Sequence, residues 1–181
     1  MGAGNYAPST RARIADLITG MHVKTTDAVL VAANFTDTAQ TELFTIVGRI
    51  AVVQLFIELT AAADANATQV LFNATFTTPT IAVNAMCGKC ASIASLGAHG
   101  RIVWVGGAVA TAAVITDSAG LSDVEAAGKI HILGGETAAG ANTVGSIGML
   151  ADDATQAATI SATAHLFYYP MSNGAYASAL V

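Results

Sequence analysis

TQVLFNATFT, residues 68–77, decides the fold class. Its even positions Val70, Phe72, Ala74 and Phe76 are apolar, while Gln69, Asn73, Thr75 and Thr77 between them are polar. Side chains of an extended chain point alternately to opposite faces, so this period of two describes a strand with one core face and one outer face. Just upstream, RIAVVQLFIELT (residues 49–60) alternates less cleanly. Ala51, Val53, Leu55, Ile57 and Leu59 line one face, and Ile50, Val52 and Phe56 stand beside Gln54 and Glu58 on the other. A strand apolar on most of both faces is expected to be sandwiched, inside the domain or between subunits. Near the end, TISATAHLFYY (residues 159–169) places Ile160, Ala162, Ala164 and Leu166 inward and Thr159, Ser161, Thr163 and His165 outward.

Further strands are expected at 29–33, 41–47, 80–86, 101–109, 129–133, 144–150 and 175–180. Turn sequences TTPT (77–80), AHGR (98–101), LGGE (133–136) and SNGA (172–175) separate them. Residues 121–128, LSDVEAAG, read as a helical turn or a loop. Short strands with little helix predict an all-β protein, a jelly-roll-like β-sandwich. Ahead of it, PSTRARIADLITGM carries Ile14, Leu17, Ile18 and Met21 at helical spacing, with Ser9 or Thr10 as N-cap and Gly20 near the end. The domain reading is therefore an arm over 1–27, helical or extended, and a β-sandwich over 28–181. The arm is a candidate to reach a neighbour; the alternative is a helix folded back on its own domain. No fixed-period repeat points to a solenoid or propeller.

Hydrophobic residues make up 54% of the 181, aromatics only 6% and charged residues only 10%. Soluble proteins average about a quarter charged. Much of the exterior must then be Ala, Thr, Ser and Gly, which defends poorly against association. The reading is that other chains cover large parts of it; the alternative is a monomer with a Thr/Ser/Ala-rich β-surface. Net charge is −5 and the basic residues are scattered singly, so no stripe suits nucleic-acid phosphates. The best apolar run, IVWVGGAVATAAVIT (102–116), is too short for a membrane span and is broken by glycines. The first twenty residues lack the apolar core of a secretory signal, so cytoplasmic synthesis is expected and the sequons at Asn34, Asn66 and Asn73 carry no weight.

Chemistry is sparse. Cys87 and Cys90, in MCGKC, have the spacing of a redox couple or half a zinc site. Structural zinc takes four ligands, and His22, His99, His131 and His165 show no matching spacing. No βαβ setting surrounds the pair. In an extended strand, residues three apart lie about 10 Å between Cα atoms, beyond the roughly 7 Å limit for a disulfide. Gly88 permits a turn that would bring them together. Three states stay open: two reduced thiols at a strand end, a local disulfide, or an incomplete metal site. The acids Glu42, Glu58, Asp123, Glu125, Glu136, Asp152 and Asp153 are strewn singly apart from one adjacent pair, which points to opposite faces on a strand. No nucleophile elbow, nucleotide loop or calcium loop occurs. No catalytic residue, cofactor or metal site is assigned.

Three stretches carry a likeness. TELFTIVGRIAVVQLFIELT (41–60) resembles a strand pair of small virion proteins of tailed bacteriophages, patterned L-F-T-[VI]-x-G-R-[VI]-x-V. AHLFYYPMSNGAY (164–176) is similar to their closing strand and turn, where H-L-x-Y-x-P precedes G-A, and GSIGML (145–150) sits where they have a G-T-I-x-L strand. Ala164 departs from that pattern, in which Trp precedes the His. Together these islands cover about a quarter of the chain. The family is that of jelly-roll capsid decoration, or cement, proteins. The resemblance implies a homotrimer on the outer surface of a phage head, bound to the major capsid protein, assembled in host cytoplasm and resident in the virion. It implies no catalytic residues.

On this reading Ile14, Leu17 and Ile18 are expected as arm contacts, and Ile50, Val52 and Phe56 as an inter-subunit β-surface. The competing expectations are another virion part (tail, head-fibre or adaptor) and a carbohydrate-binding jelly-roll module. A receptor-binding part would expose aromatics in loops, and Trp104, the sole Trp, falls instead in the strand sequence RIVWV.

Overall fold

The alternation at residues 68–77 becomes a nine-residue strand that buries Val70, Phe72, Ala74 and Phe76 against the opposing sheet. The computed structural model describes residues 24–35, 40–77, 80–104, 112–116, 131–137, 139–152 and 159–181. The helix expected around Ile14, Leu17 and Ile18, and the segment 121–128, lie outside the described residues.

Strands β1 (Lys24–Val31), β2 (Thr41–Val47), β3 (Ile50–Ala61), β4 (Gln69–Thr77) and β5 (Thr80–Ala85) follow in close succession, broken by a 3₁₀ turn at Ala32–Asn34. Then come β6 (Arg101–Trp104), β7 (Val114–Thr116), β8 (His131–Leu133), β9 (Val144–Asp152), β10 (Ser161–Pro170) and β11 (Tyr176–Ala179). The first strand begins earlier than expected, within the stretch read as arm. One sheet runs β1-β10-β3-β6-β7, with β8 also on β3; the other runs β11-β2-β9-β4-β5. Every pairing between strands is antiparallel. The pairs β1–β10, β2–β9, β3–β6 and β4–β5 nest inside one another and alternate between the sheets, as in a long hairpin rolled up. That is the jelly roll, with β7 and β8 inserted after β6 and β11 added at the end.

Strand β10 follows its sequence pattern: Ala162, Ala164, Leu166 and Tyr168 are buried, and Thr163, His165 and Phe167 face outward. Strand β3 does not. Its pairing with β10 skips Val53, since Phe167 faces Gln54 and Tyr168 faces Val52. One extra residue on one strand is a β-bulge, and it resets the phase of alternation. Ile50 and Val52 before the bulge, and Leu55, Ile57 and Leu59 after it, therefore all enter the core. This corrects the expectation that Ile50 and Val52 face a neighbouring subunit: both are fully buried inside their own chain. Phe56 keeps its place on the outer face, half-buried.

Trp104 ends β6 opposite Leu55 and is buried between the sheets. Its ring meets the His131 ring edge-on at 4.9 Å, and Nε1 donates to the Met86 carbonyl at 3.1 Å. A single side chain thus ties three separate stretches together. An indole N–H buried without an acceptor would be costly, and here it has one.

Candidate interaction surfaces

The C-x-x-C pair is resolved by what lies beside it. Beyond β5 the chain continues irregularly along the edge of β4: Met86, Cys90 and Ile93 donate their N–H groups to the carbonyls of Phe72, Val70 and Thr68 at 2.8–2.9 Å. In the reverse direction sulfur takes over from backbone carbonyl. The Phe72 N–H donates to Cys87 Sγ at 3.3 Å, and the Val70 N–H to Cys90 Sγ at 3.1 Å. Both residues are free thiols and buried. Burial pushes both thiols above their ordinary pKa, and the backbone hydrogen bonds offset this only in part. They are protonated at neutral pH and shielded from reagents, so their role is to satisfy strand-edge donors. Replacing Cys90 by Ala is expected to destabilise by about 1–3 kcal/mol, because the Val70 N–H loses its acceptor in a dry site. Urea unfolding measures this, and a thiol reagent should label the wild type only after denaturation.

The outer face of the β1-β10-β3-β6 sheet carries a ladder that crosses four strands. Asp27 Oδ1 meets His165 Nδ1 at 2.8 Å. The His165 ring lies 4.7 Å from that of Phe56, and the Arg101 guanidinium stands over Phe56 at 5.5 Å. Arg101 Nε also donates to Glu58 Oε2 at 2.9 Å, and His99 Nδ1 is 3.2 Å from Glu58 Oε1. Phe167 stacks beside Phe56 at 6.0 Å. Phe56 is thereby engaged by His165 from β10 and by Arg101 from β6, the two strands that flank β3.

Glu58 is the member of this ladder whose pKa is displaced. Burial alone would raise its pKa, but hydrogen bonds with His99 and Arg101, with the Arg101 charge, outweigh that and hold it below the ordinary glutamate value. A depressed carboxylate adds stability above its unfolded pKa, near ~4.3, and that stability is lost as pH falls through the folded value. Because the group is partly exposed, the effect should stay under about 1 kcal/mol. Glu58→Gln is expected to flatten the acid side of the stability profile by that amount and to leave stability above pH ~6 altered only by the lost pair. Chemical denaturation repeated across pH would show it.

The third surface is a loop cluster at one end of the sandwich. The β2–β3 turn, the connection from β8 to β9 and the β10–β11 turn meet there. Gly48 N–H donates to the Thr143 carbonyl at 2.8 Å, Arg49 N–H to Ser172 Oγ at 2.9 Å, and Met171 N–H to the Arg49 carbonyl at 2.8 Å. Ser172 Oγ donates to Asn142 Oδ1 at 3.2 Å, and Asn142 Nδ2 to the Asn173 carbonyl at 3.1 Å. Thr143 and Gly135 exchange further bonds. Gly48, Gly134, Gly140 and Gly174, the glycines with positive φ among the described residues, all fall in these loops. Around the cluster Ile132, Val144, Met171 and Tyr176 expose roughly half their surface, from 45 to 56%. Tyr176, Val47 and Val144 stand side by side across β11, β2 and β9. Arg49 and Glu136 are exposed at the same end.

Of the residues singled out from the sequence, then, Phe56 lies in the sheet-face ladder, Ile50 and Val52 lie in the core, and Ile14, Leu17 and Ile18 lie outside the described residues. Sequence reasoning saw the loop cluster only as separate turn signals. Among the described residues no three His, Cys, Asp or Glu side chains are grouped to hold a metal ion. No family model matches the sequence, and no curated protein or solved structure matches it significantly.

Proposed function

We propose that this chain is a structural protein of a bacteriophage virion: a capsid decoration, or cement, protein that seats on the outer surface of the head as a homotrimer and stiffens the completed shell. One observation carries the reading. The three segments whose sequences resemble that family are β2 with β3, β9, and β10 with β11, and their turns interlock in the loop cluster through Gly48, Arg49, Thr143, Met171 and Ser172. Motifs that share a single spatial end belong to one functional element more readily than motifs scattered over a surface.

The physics of such a role matches the composition. A protein that bridges capsomers needs broad, shape-matched contacts, and burying few charges avoids desolvation penalties. Many identical copies make weak individual contacts count together. The partners are the shell's major capsid protein and other copies of this chain, and no turnover or cofactor is involved.

An image reconstruction of the particle, with the copy number read from quantitative mass spectrometry of purified virions, tests this. Hundreds of copies per particle on the head exterior support it. A handful of copies at the tail or neck, or absence from particles, overturns it.

A further inference from the structure

We infer that the loop cluster is the contact between neighbouring copies, with Arg49 of one copy paired to Glu136 of the next. This rests on the oligomer proposed above and adds its surface and its pairing.

Charge is so scarce in this chain that an unpaired ion is informative. Asp27 is engaged by His165, and Glu58 by His99 and Arg101. Glu42 accepts a hydrogen bond from Ser146. Among the described residues Arg49 has no carboxylate partner and Glu136 has no cationic one. Both are exposed, and both belong to the same bonded loops: the Arg49 N–H is held by Ser172, Ser172 holds Asn142, and Asn142 bridges Glu136 across an isolated antiparallel pair. Two opposite charges on the same bonded loops, with no ion pair between them, leave each free to meet its counterpart on another molecule.

A surface carrying both signs fits a second copy of itself better than a uniformly charged partner. In a closed ring each copy offers one patch and receives its complement, so a cation and an anion near one end generate the same ion pair at every contact. The surroundings agree. Tyr, Met and Arg are the residue types enriched where proteins meet, and Tyr176, Met171 and Arg49 stand together here beside Val144 and Ile132. The loops that present them are held by glycines and side-chain bonds, so little ordering remains to be done on association.

The test is the mass of the full-length chain in solution by sedimentation or light scattering, over a dilution series. Arg49→Glu and Glu136→Arg should each weaken association by about tenfold or more per contact. The double exchange R49E/E136R should recover most of the loss, since it restores opposite charges in mirror order. Unchanged Trp104 fluorescence in each variant confirms the fold. If a reversal variant misfolds, Arg49→Gln and Glu136→Gln serve instead: wild-type association should weaken as salt rises, and theirs should respond much less. Singles that associate like the wild type, a double exchange no better than the singles, or neutral variants with undiminished salt dependence would overturn the pairing and leave the proposed function standing. A wild type that stays monomeric at every concentration would overturn the oligomer itself.

Discussion

Replacing Trp104 by alanine should cost about 3–5 kcal/mol of unfolding free energy, the range for emptying the site of a buried large aromatic residue. The side chain is 1% exposed, and it is the only Trp in the chain. Three losses combine. The apolar surface of the ring returns to water, the cavity is lined by residues of two packed sheets that cannot close onto it, and the Met86 carbonyl loses its donor at 3.1 Å. His131 also loses its edge-on neighbour, while β8 stays paired to β3 through its backbone. Trp104→Phe keeps most of the volume but not the N–H, so about 1–3 kcal/mol is expected. Urea unfolding followed by circular dichroism reads both, since the alanine variant has no indole to report. A loss under about 1 kcal/mol for the alanine variant would mean that Trp104 is not the joint described above.

The second large effect is expected at Gly134. Its φ is +76°, and a Cβ built there would lie 2.0 Å from the Gly48 carbonyl oxygen, which is backbone and cannot swing aside. Gly140 has nearly the same φ, +77°, with nothing within 4 Å of the added carbon. Alanine at either position pays the left-handed penalty, about 1–2 kcal/mol. Only Gly134→Ala must also push the Gly48 turn off Thr143, and with it the start of β3. We expect Gly140→Ala to cost about 1–2 kcal/mol and Gly134→Ala more than about 3 kcal/mol. Thermal melts of the two variants side by side separate backbone conformation from collision. Equal costs would show that the loop cluster yields easily, and its description as a pre-ordered surface would fail with it.

The strands were legible where nothing interrupts a period of two. Strand β2 begins at Thr41 and ends at Val47 as expected, and the inward and outward sets of β10 are those the sequence spelled. The inner face of β4 was read correctly too, but Asn73, polar and outward in the sequence, is buried. Val53 defeated the reading of β3. A bulge depends on how β3 pairs with β10, more than a hundred residues away, and nothing in AVVQL marks which valine is the extra one. Strand β7 went unread at the far end of the glycine-broken apolar run 102–116. The thiols had the same difficulty: their role comes from the edge of β4, which the spacing of Cys87 and Cys90 says nothing about. Ser172 looked like an ordinary turn residue and Asn142 drew no reading at all, and their bonding across three loops exists only once the roll has closed.

The register of the two outermost strands has a practical consequence. Lys24 opens β1 opposite Tyr168, close to where β10 runs into the glycine-rich turns, whereas β11 leaves those turns at Tyr176 and is opposite Phe44 by Ala179. A peptide or fluorescent cargo joined behind β11 would be carried away from Arg49 and Glu136, whereas one joined directly to Lys24 would start at their end of the sandwich. Cargo for display therefore belongs on the β11 side of the roll.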